Sequence, residues 1–226
     1  MFKIAGDSQL NQSLSRFWKN NKSFFLFILL MFVFRSVIAD WNTVPTGSMK
    51  PTILEGDRIF VNKMAYDLRV PFSHISLLQL SNPQSGDIII FDSEKSDKRL
   101  VKRVVGVPGD TVSMLNNVVL INQKPLTYSV DSATPEFLDV TENLLGLEHS
   151  VRIHHESDGR FASFEPVNIP SGFYLALGDN RDRSADSRVI GLVPRAEIVG
   201  RSRNVVLSLN YDNYYLPRKD RFFKTL

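Results

Sequence analysis

One serine in this chain stands where it could act as a nucleophile, in Pro45-Thr46-Gly47-Ser48-Met49-Lys50-Pro51-Thr52. Proline fixes φ and biases the residue before it toward extended geometry, so Pro45 and Pro51 stiffen the segment between them. Gly47 permits a close backbone approach that a side chain would obstruct. Ser48 would then project from a stiff, exposed turn, with its own N–H and the Thr46 hydroxyl aimed at one point. The octet alone reads more readily as a Pro/Gly/Ser turn joining two elements. It is not a G-x-S-x-G elbow, which would need glycines at positions 46 and 50.

A serine nucleophile needs a base. The four histidines are His74, His149, His154 and His155, and none lies in a motif. His154 and His155 are adjacent on a predicted strand and so point to opposite faces. They read as surface or hairpin residues, which weakens a Ser-His-Asp triad. Lys102 is the alternative base. Alternation along the predicted strand Leu100–Val105 puts Lys102 on one face with Val104, and Val101, Arg103 and Val105 on the other. A free lysine, with pKa about 10.4, needs about 4.6 kcal/mol to lose its proton at pH 7. Burial and the like charge of Arg103 would both lower that value. The same lysine also suits an edge strand, where it discourages aggregation.

A third candidate is Gly178-Asp179-Asn180-Arg181-Asp182-Arg183-Ser184-Ala185-Asp186-Ser187-Arg188, which directly follows the apolar run Phe173–Leu177. Such a string makes either a solvated loop of Asx turns and surface ion pairs, or a polar scaffold packed against a site. Its acids alternate with arginines, which favours ion pairs over a cation site.

Composition narrows the field. With 226 residues and 43% hydrophobic side chains, the chain can hold one medium domain, or a small domain with an insertion, plus a membrane segment. There is no cysteine, which excludes disulfides, thiolate zinc sites and cysteine nucleophiles. No H-E-x-x-H or similar metal pattern occurs. The net charge of +3 is mild, and no nucleic-acid motif is present. Neither a metal, a cofactor nor a nucleic-acid partner is expected.

Residues 1–22 are polar and basic, with Lys3, Arg16, Lys19 and Lys22 against Asp7. The uninterrupted apolar run Phe24–Phe34 spans only about 16 Å as a helix, too short for a hydrocarbon core of about 30 Å. Extension to Trp41 gives roughly 28 Å, with Arg35 near one end where it can snorkel. The segment reads as a membrane anchor over 23–41, or as a cleaved signal peptide with Val37-Ile38-Ala39 as its cleavage-like triplet. Arg35 and Trp41 suit the anchor better. Either way the basic flank stays inside and the rest lies outside the cytoplasm.

Beyond Ser48 the chain reads as strands. Arg58–Val61 is one. Ile88–Phe91 and Leu100–Val105 form a hairpin, Val112–Met114 and Val118–Asn122 a second, and Val151–Glu156 with Arg160–Phe164 a third. Residues 66–84 read as irregular, and 123–148 resist assignment. The expected organisation is an N-terminal segment 1–22, an anchor 23–41 and a catalytic core 42–110. A β-rich insertion 111–177, a second core part 178–210 and a basic aromatic tail 211–226 complete it.

Taken in order, the anchor, PTGSMKPTILEGD, GDIIIF, LVKRVVGVPGD and GDNRDRSADSR resemble the type I signal peptidases (leader peptidases), membrane-bound serine–lysine endopeptidases. The resemblance covers most of the chain outside the insertion and the tail. It implies a mainly β fold: an antiparallel catalytic core with a β-rich insertion, behind an N-terminal transmembrane helix. It implies Ser48 as nucleophile and Lys102 as general base. Thr46 would complete an oxyanion hole with the Ser48 N–H, Ser184 would hydrogen-bond the lysine amine, and Asp186 and Arg188 would form a supporting ion pair. Met49 and the Phe-rich or basic ends are candidates for substrate or lipid contact, or for core packing.

The implied partners are signal peptides of exported preproteins, cut after small residues at −1 and −3, and the lipid bilayer. The implied location is the cytoplasmic membrane: single-pass, N-terminus inside, catalytic domain on the periplasmic face. The family often has two membrane segments before the serine, and one is found here. Another serine–lysine processing protease, for pilins or conjugation, or an inactive membrane-tethered peptide-binding domain, would share these features.

Overall fold

The computed structural model describes residues 6–73, 75–156 and 159–226. Helix α1 (Gly6–Val37) includes a stretch, Arg16–Val37, of mean hydropathy 1.3 with none of it buried. At 1.5 Å per residue those 22 residues reach about 33 Å, close to a bilayer core of about 30 Å, with Arg16, Lys19 and Lys22 in the first two turns, where they can snorkel to the headgroups. The helix does not continue to Trp41 as expected. Its last bond is Ile38 N–H to the Phe34 carbonyl, and Ala39–Thr43 is strand β1. β1 lies antiparallel on β2 (Asp57–Asn62), from Ala39 opposite Asn62 to Thr43 opposite Arg58. Arg35 turns back to Asp40 at 2.8 Å and lies over the Trp41 ring. The ladder to β2 and this ion pair offer the chain more than another turn of helix.

Residues 66–84, read as irregular, contain a small hairpin of β3 (Asp67–Arg69) and β4 (Ser76–Gln79). β5 (Ile88–Ser93) and β6 (Lys98–Gly106) form the expected hairpin, with Ile89 opposite Lys102. β7 (Thr111–Leu115) and β8 (Val118–Ile121) form the next, with Asn116 and Asn117 both at positive φ in the turn. Then come β9 (Lys124–Pro125), β10 (Thr127–Ala133), β11 (Phe137–Leu144), β12 (Leu147–His154) and β13 (Phe164–Asn168). β14 (Phe173–Leu177), the single-turn α2 (Ser187–Ile190), β15 (Val193–Pro194), β16 (Ile198–Ser202), β17 (Val205–Asn210) and β18 (Leu216–Pro217) complete the chain.

The expected third hairpin is not formed. β12 pairs backward with β11, while β13 pairs with the distant β7. Leu145 and Gly146, both at positive φ, close β11 onto β12 in a two-residue turn, and this local pairing wins. β14, counted with the insertion from sequence, instead pairs with β6 in the core sheet.

The core sheet has nine strands in the order β15-β14-β6-β5-β16-β2-β17-β18, with β1 also on β2. The insertion contributes the sheets β10-β11-β12 and β13-β7-β8-β9. Central strand β5 is covered on both faces, which is why it reads as an unbroken apolar run. Ile88 and Ile90 pack with Met49, Ile53 and Ile59, whereas Ile89 and Phe91 pack with Val104, Tyr174 and Ile198. The tail is tied to this body: Arg221 is buried against Asp57, and Leu226 packs on the Met49 cluster.

Candidate active site

The Ser48 turn is fixed from both ends. Lys50 N–H donates to the Gly47 carbonyl at 3.1 Å, and Ile53 N–H to the Met49 carbonyl at 2.9 Å. Met49, a candidate for substrate or lipid contact, is only 1% exposed and belongs to the apolar core. Core packing, the other reading of Met49, is therefore what the fold uses, because in this turn the residue after Ser48 points inward and anchors it. Asn180 clamps the turn from outside, its N–H donating to the Ser48 carbonyl (3.1 Å) and its amide to the Gly47 carbonyl (2.9 Å). His154 in turn contacts Asn180, Nε2 to Oδ1, at 3.0 Å.

The lysine reaches Ser48 across the fold: Lys102 Nζ is 2.6 Å from Ser48 Oγ. Lys102 is 2% exposed. Burial lowers its pKa from 10.5 to about 8, with Asp186 and Asp179 resisting and Arg188 assisting. Arg103, expected to repel Lys102, does not act on it in this way. It points to the opposite face of β6 and holds Asp179 by two bonds, at 2.9 and 2.8 Å.

Asp186 and Arg188 do pair, at 2.7 Å, and Asp186 also accepts from Gly178 N–H at 2.9 Å. Burial pushes the Asp186 carboxyl up, but Arg188 more than offsets this and holds it below the usual range. Arg188 also donates to the Phe161 and Arg181 carbonyls, which closes the 178–188 loop. Ser184 is buried, and its hydroxyl is directed at the Asp186 carboxylate, which it helps to hold below its ordinary pKa, in contact too loose to count as a strict hydrogen bond; the expected bond to the lysine amine is not formed. Ser184 nonetheless sits against the turn. A Cβ on Gly178 would overlap both the Ser184 side chain and the Ser48 carbonyl, so glycine is required there. Thr46 is exposed and lines the same groove as Ser48.

Several supporting residues carried no sequence signal. Thr52 donates to Asp179 at 2.5 Å. Arg181, 1% exposed, is held by Glu142 of β11 at 2.8 Å, and Glu142 also takes the Tyr128 hydroxyl. His149 lies between these pairs, 3.4 Å from Glu142 and 4.0 Å from Asp179. Burial and then Arg103 lower its pKa to about 4, so it is neutral at pH 7. Asp179 and Arg181 fell within the string read as a possible scaffold. Tyr128, Glu142 and His149 are cross-strand neighbours on β10, β11 and β12, and that sheet meets Arg181 and Asp179 only in the folded chain.

The family profile described as "Signal peptidase, peptidase S26" matches residues 17–207. Signal peptidase I of Pseudomonas aeruginosa is 35% identical over 209 residues, covering 83% of this chain and 71% of its own. Signal peptidase I of Rickettsia bellii is 30% identical over 223 residues, covering 89% and 76%. A crystal structure of a signal peptidase I from Enterococcus faecalis V583 aligns at 27% identity and a TM-score of 0.36, over 54% of this chain and 98% of that one. The chain belongs to the signal peptidase family, peptidase S26.

Proposed function

We propose that this protein removes signal peptides from exported preproteins by serine–lysine acyl transfer while anchored in a membrane by α1. The observation that carries the reading is the 2.6 Å contact between Ser48 Oγ and the buried Lys102 amine. A pKa of about 8 leaves roughly a tenth of the amine neutral at pH 7, against about 0.03% for the unperturbed group. That cuts the deprotonation cost by about 3 kcal/mol.

Neutral Lys102 takes the Ser48 proton as Oγ attacks the scissile carbonyl. The oxyanion meets the Ser48 N–H and the Thr46 hydroxyl. Protonated Lys102 then gives its proton to the leaving amine, and the mature chain departs. Water, activated by the same amine, hydrolyses the ester, frees the signal peptide and restores Ser48. Asp186 and Arg188 hold the 178–188 loop, and Ser184 packs it against the turn. The substrate lies extended, with small residues at −1 and −3. The basic residues Arg16, Lys19 and Lys22 keep the N-terminus of α1 in the cytoplasm, which puts the catalytic domain on the outer face.

The test uses the purified full chain and a signal-peptide-bearing preprotein, with N-terminal sequencing of the product. Cleavage behind the signal segment, lost in Ser48→Ala, is expected. Tight binding without cleavage would make the protein a tethered peptide-binding domain instead.

A further inference from the structure

A groove of about 390 Å³ opens beside Ser48, between the serine turn and β11–β12. Its walls include Lys50, Glu55, Glu136, Arg152 and Arg183. Such walls are wrong for the small side chains at −1 and −3, which need shallow apolar pockets. They suit a hydrophilic segment. The substrate's apolar signal segment shares the bilayer with α1, and α1 runs through β1 into the serine turn. Residues on or beside the insertion strands β11 and β12, Glu136, Phe137, Arg152 and His154, build the groove's other wall.

Most charges in the groove are already neutralised. Lys50 pairs with Glu55 at 2.6 Å. Arg152 holds Asp139 through two bonds and stacks over Phe137. Arg183 differs: it is exposed, and its guanidinium has no carboxylate or carbonyl partner among the described residues. It is also well placed. Its N–H donates to the carbonyl of Asn180, the residue that clamps Gly47 and Ser48. After burial, Arg183 is the next cause holding His154 below its ordinary pKa, so the cation lies beside the His154–Asn180 contact. Glu136 is the other charge in the groove without a side-chain partner among the described residues, and it stands just before β11 on the insertion wall.

We propose that this groove is the leaving-side subsite, receiving the first residues of the mature chain, and that Arg183 selects a carboxylate side chain there. The proposal rests on the peptidase reading above. An exposed pair of this kind is expected to change kcat/KM about twofold to fivefold, and about 1 M salt should erase the effect.

The test uses full-length protein and preproteins carrying Glu, Gln or Lys, in turn, at each of the first three mature positions. The readout is the Glu-to-Lys ratio of kcat/KM at one or more of these positions, in wild type, Arg183→Glu and Glu136→Gln. The expected result is a ratio above one in wild type, inverted in Arg183→Glu and raised further in Glu136→Gln. An equal ratio in wild type and Arg183→Glu would overturn the subsite while leaving the peptidase reading intact. Absence of Ser48-dependent cleavage of every preprotein would overturn the peptidase reading, and this proposal with it.

Discussion

Lys102 and Arg103 are neighbours on one strand, both nearly inaccessible to water at 2% and 3% exposure, and the fold treats them in opposite ways. Arg103 faces Asp179, which binds its guanidinium at two points. Lys102 faces Val104's side of the sheet and a serine hydroxyl, and Asp186, the acid that acts on it most, is already bound to Arg188. A buried cation with a dedicated carboxylate stays a cation. One without is pushed toward the neutral form. The guanidinium cannot release its proton at usable pH, so it suits the structural role, whereas the amine can, so it suits the chemical one. Strand alternation is what lets two adjacent residues occupy such different surroundings.

Exchanging the two roles gives the largest expected effect. Lys102→Arg keeps the charge but removes the releasable proton, and preprotein cleavage should fall by at least about 10⁴-fold. A double variant with Ser48→Ala should be no worse, since the pair acts as a unit. Retained turnover in a folded Lys102→Arg protein would mean that Lys102 acts only as a fixed charge.

Asp179→Asn attacks the other side of the comparison by stranding Arg103. Unfolding by denaturant should show a loss of about 3–5 kcal/mol. Asp179 also raises the Lys102 pKa, so the rise of activity with pH should move to lower pH in this variant. Unchanged stability would show that the Arg103–Asp179 pair is dispensable.

Lys102→Met has the opposite sign and the smallest effect. The Lys102 pKa is depressed on folding, so the destabilisation is fully present below about pH 8 and fades as pH rises toward 10.5. The methionine variant should be inactive yet more stable at pH 7, by up to about 3 kcal/mol. Its stability should lack the wild-type rise between those two pH values.

Local chemistry made part of this visible in the sequence. Alternation alone placed Lys102 and Arg103 on opposite faces, and the Pro/Gly octet marked the Ser48 turn. The Asn116-Asn117 turn and the unbroken run Ile88–Phe91 named their elements by backbone preference and burial. Long-range pairing was not visible. Nothing in Glu142 announces Arg181, or in Arg103 announces Asp179, because each side chain is satisfied by a residue from another strand or loop. The same limit hides the pairing of β12 with β11: a Leu145-Gly146 turn gives a weaker signal than Asn-Gly or Asp-Gly. The helix stops short of the expected Trp41 because the ladder from β1 to β2 and the Arg35–Asp40 contact exist only once the body has folded.

The central claim is that Lys102 acts as a neutral base at the pKa its burial dictates. The direct test is the pH dependence of kcat/KM for wild-type cleavage of a preprotein without titrating groups near the cut, since that profile reports the free enzyme. A single rise with an apparent pKa of about 8 is expected. A rise centred near 6.5, the ordinary histidine value, or a profile flat across pH 6–9.5, would contradict it.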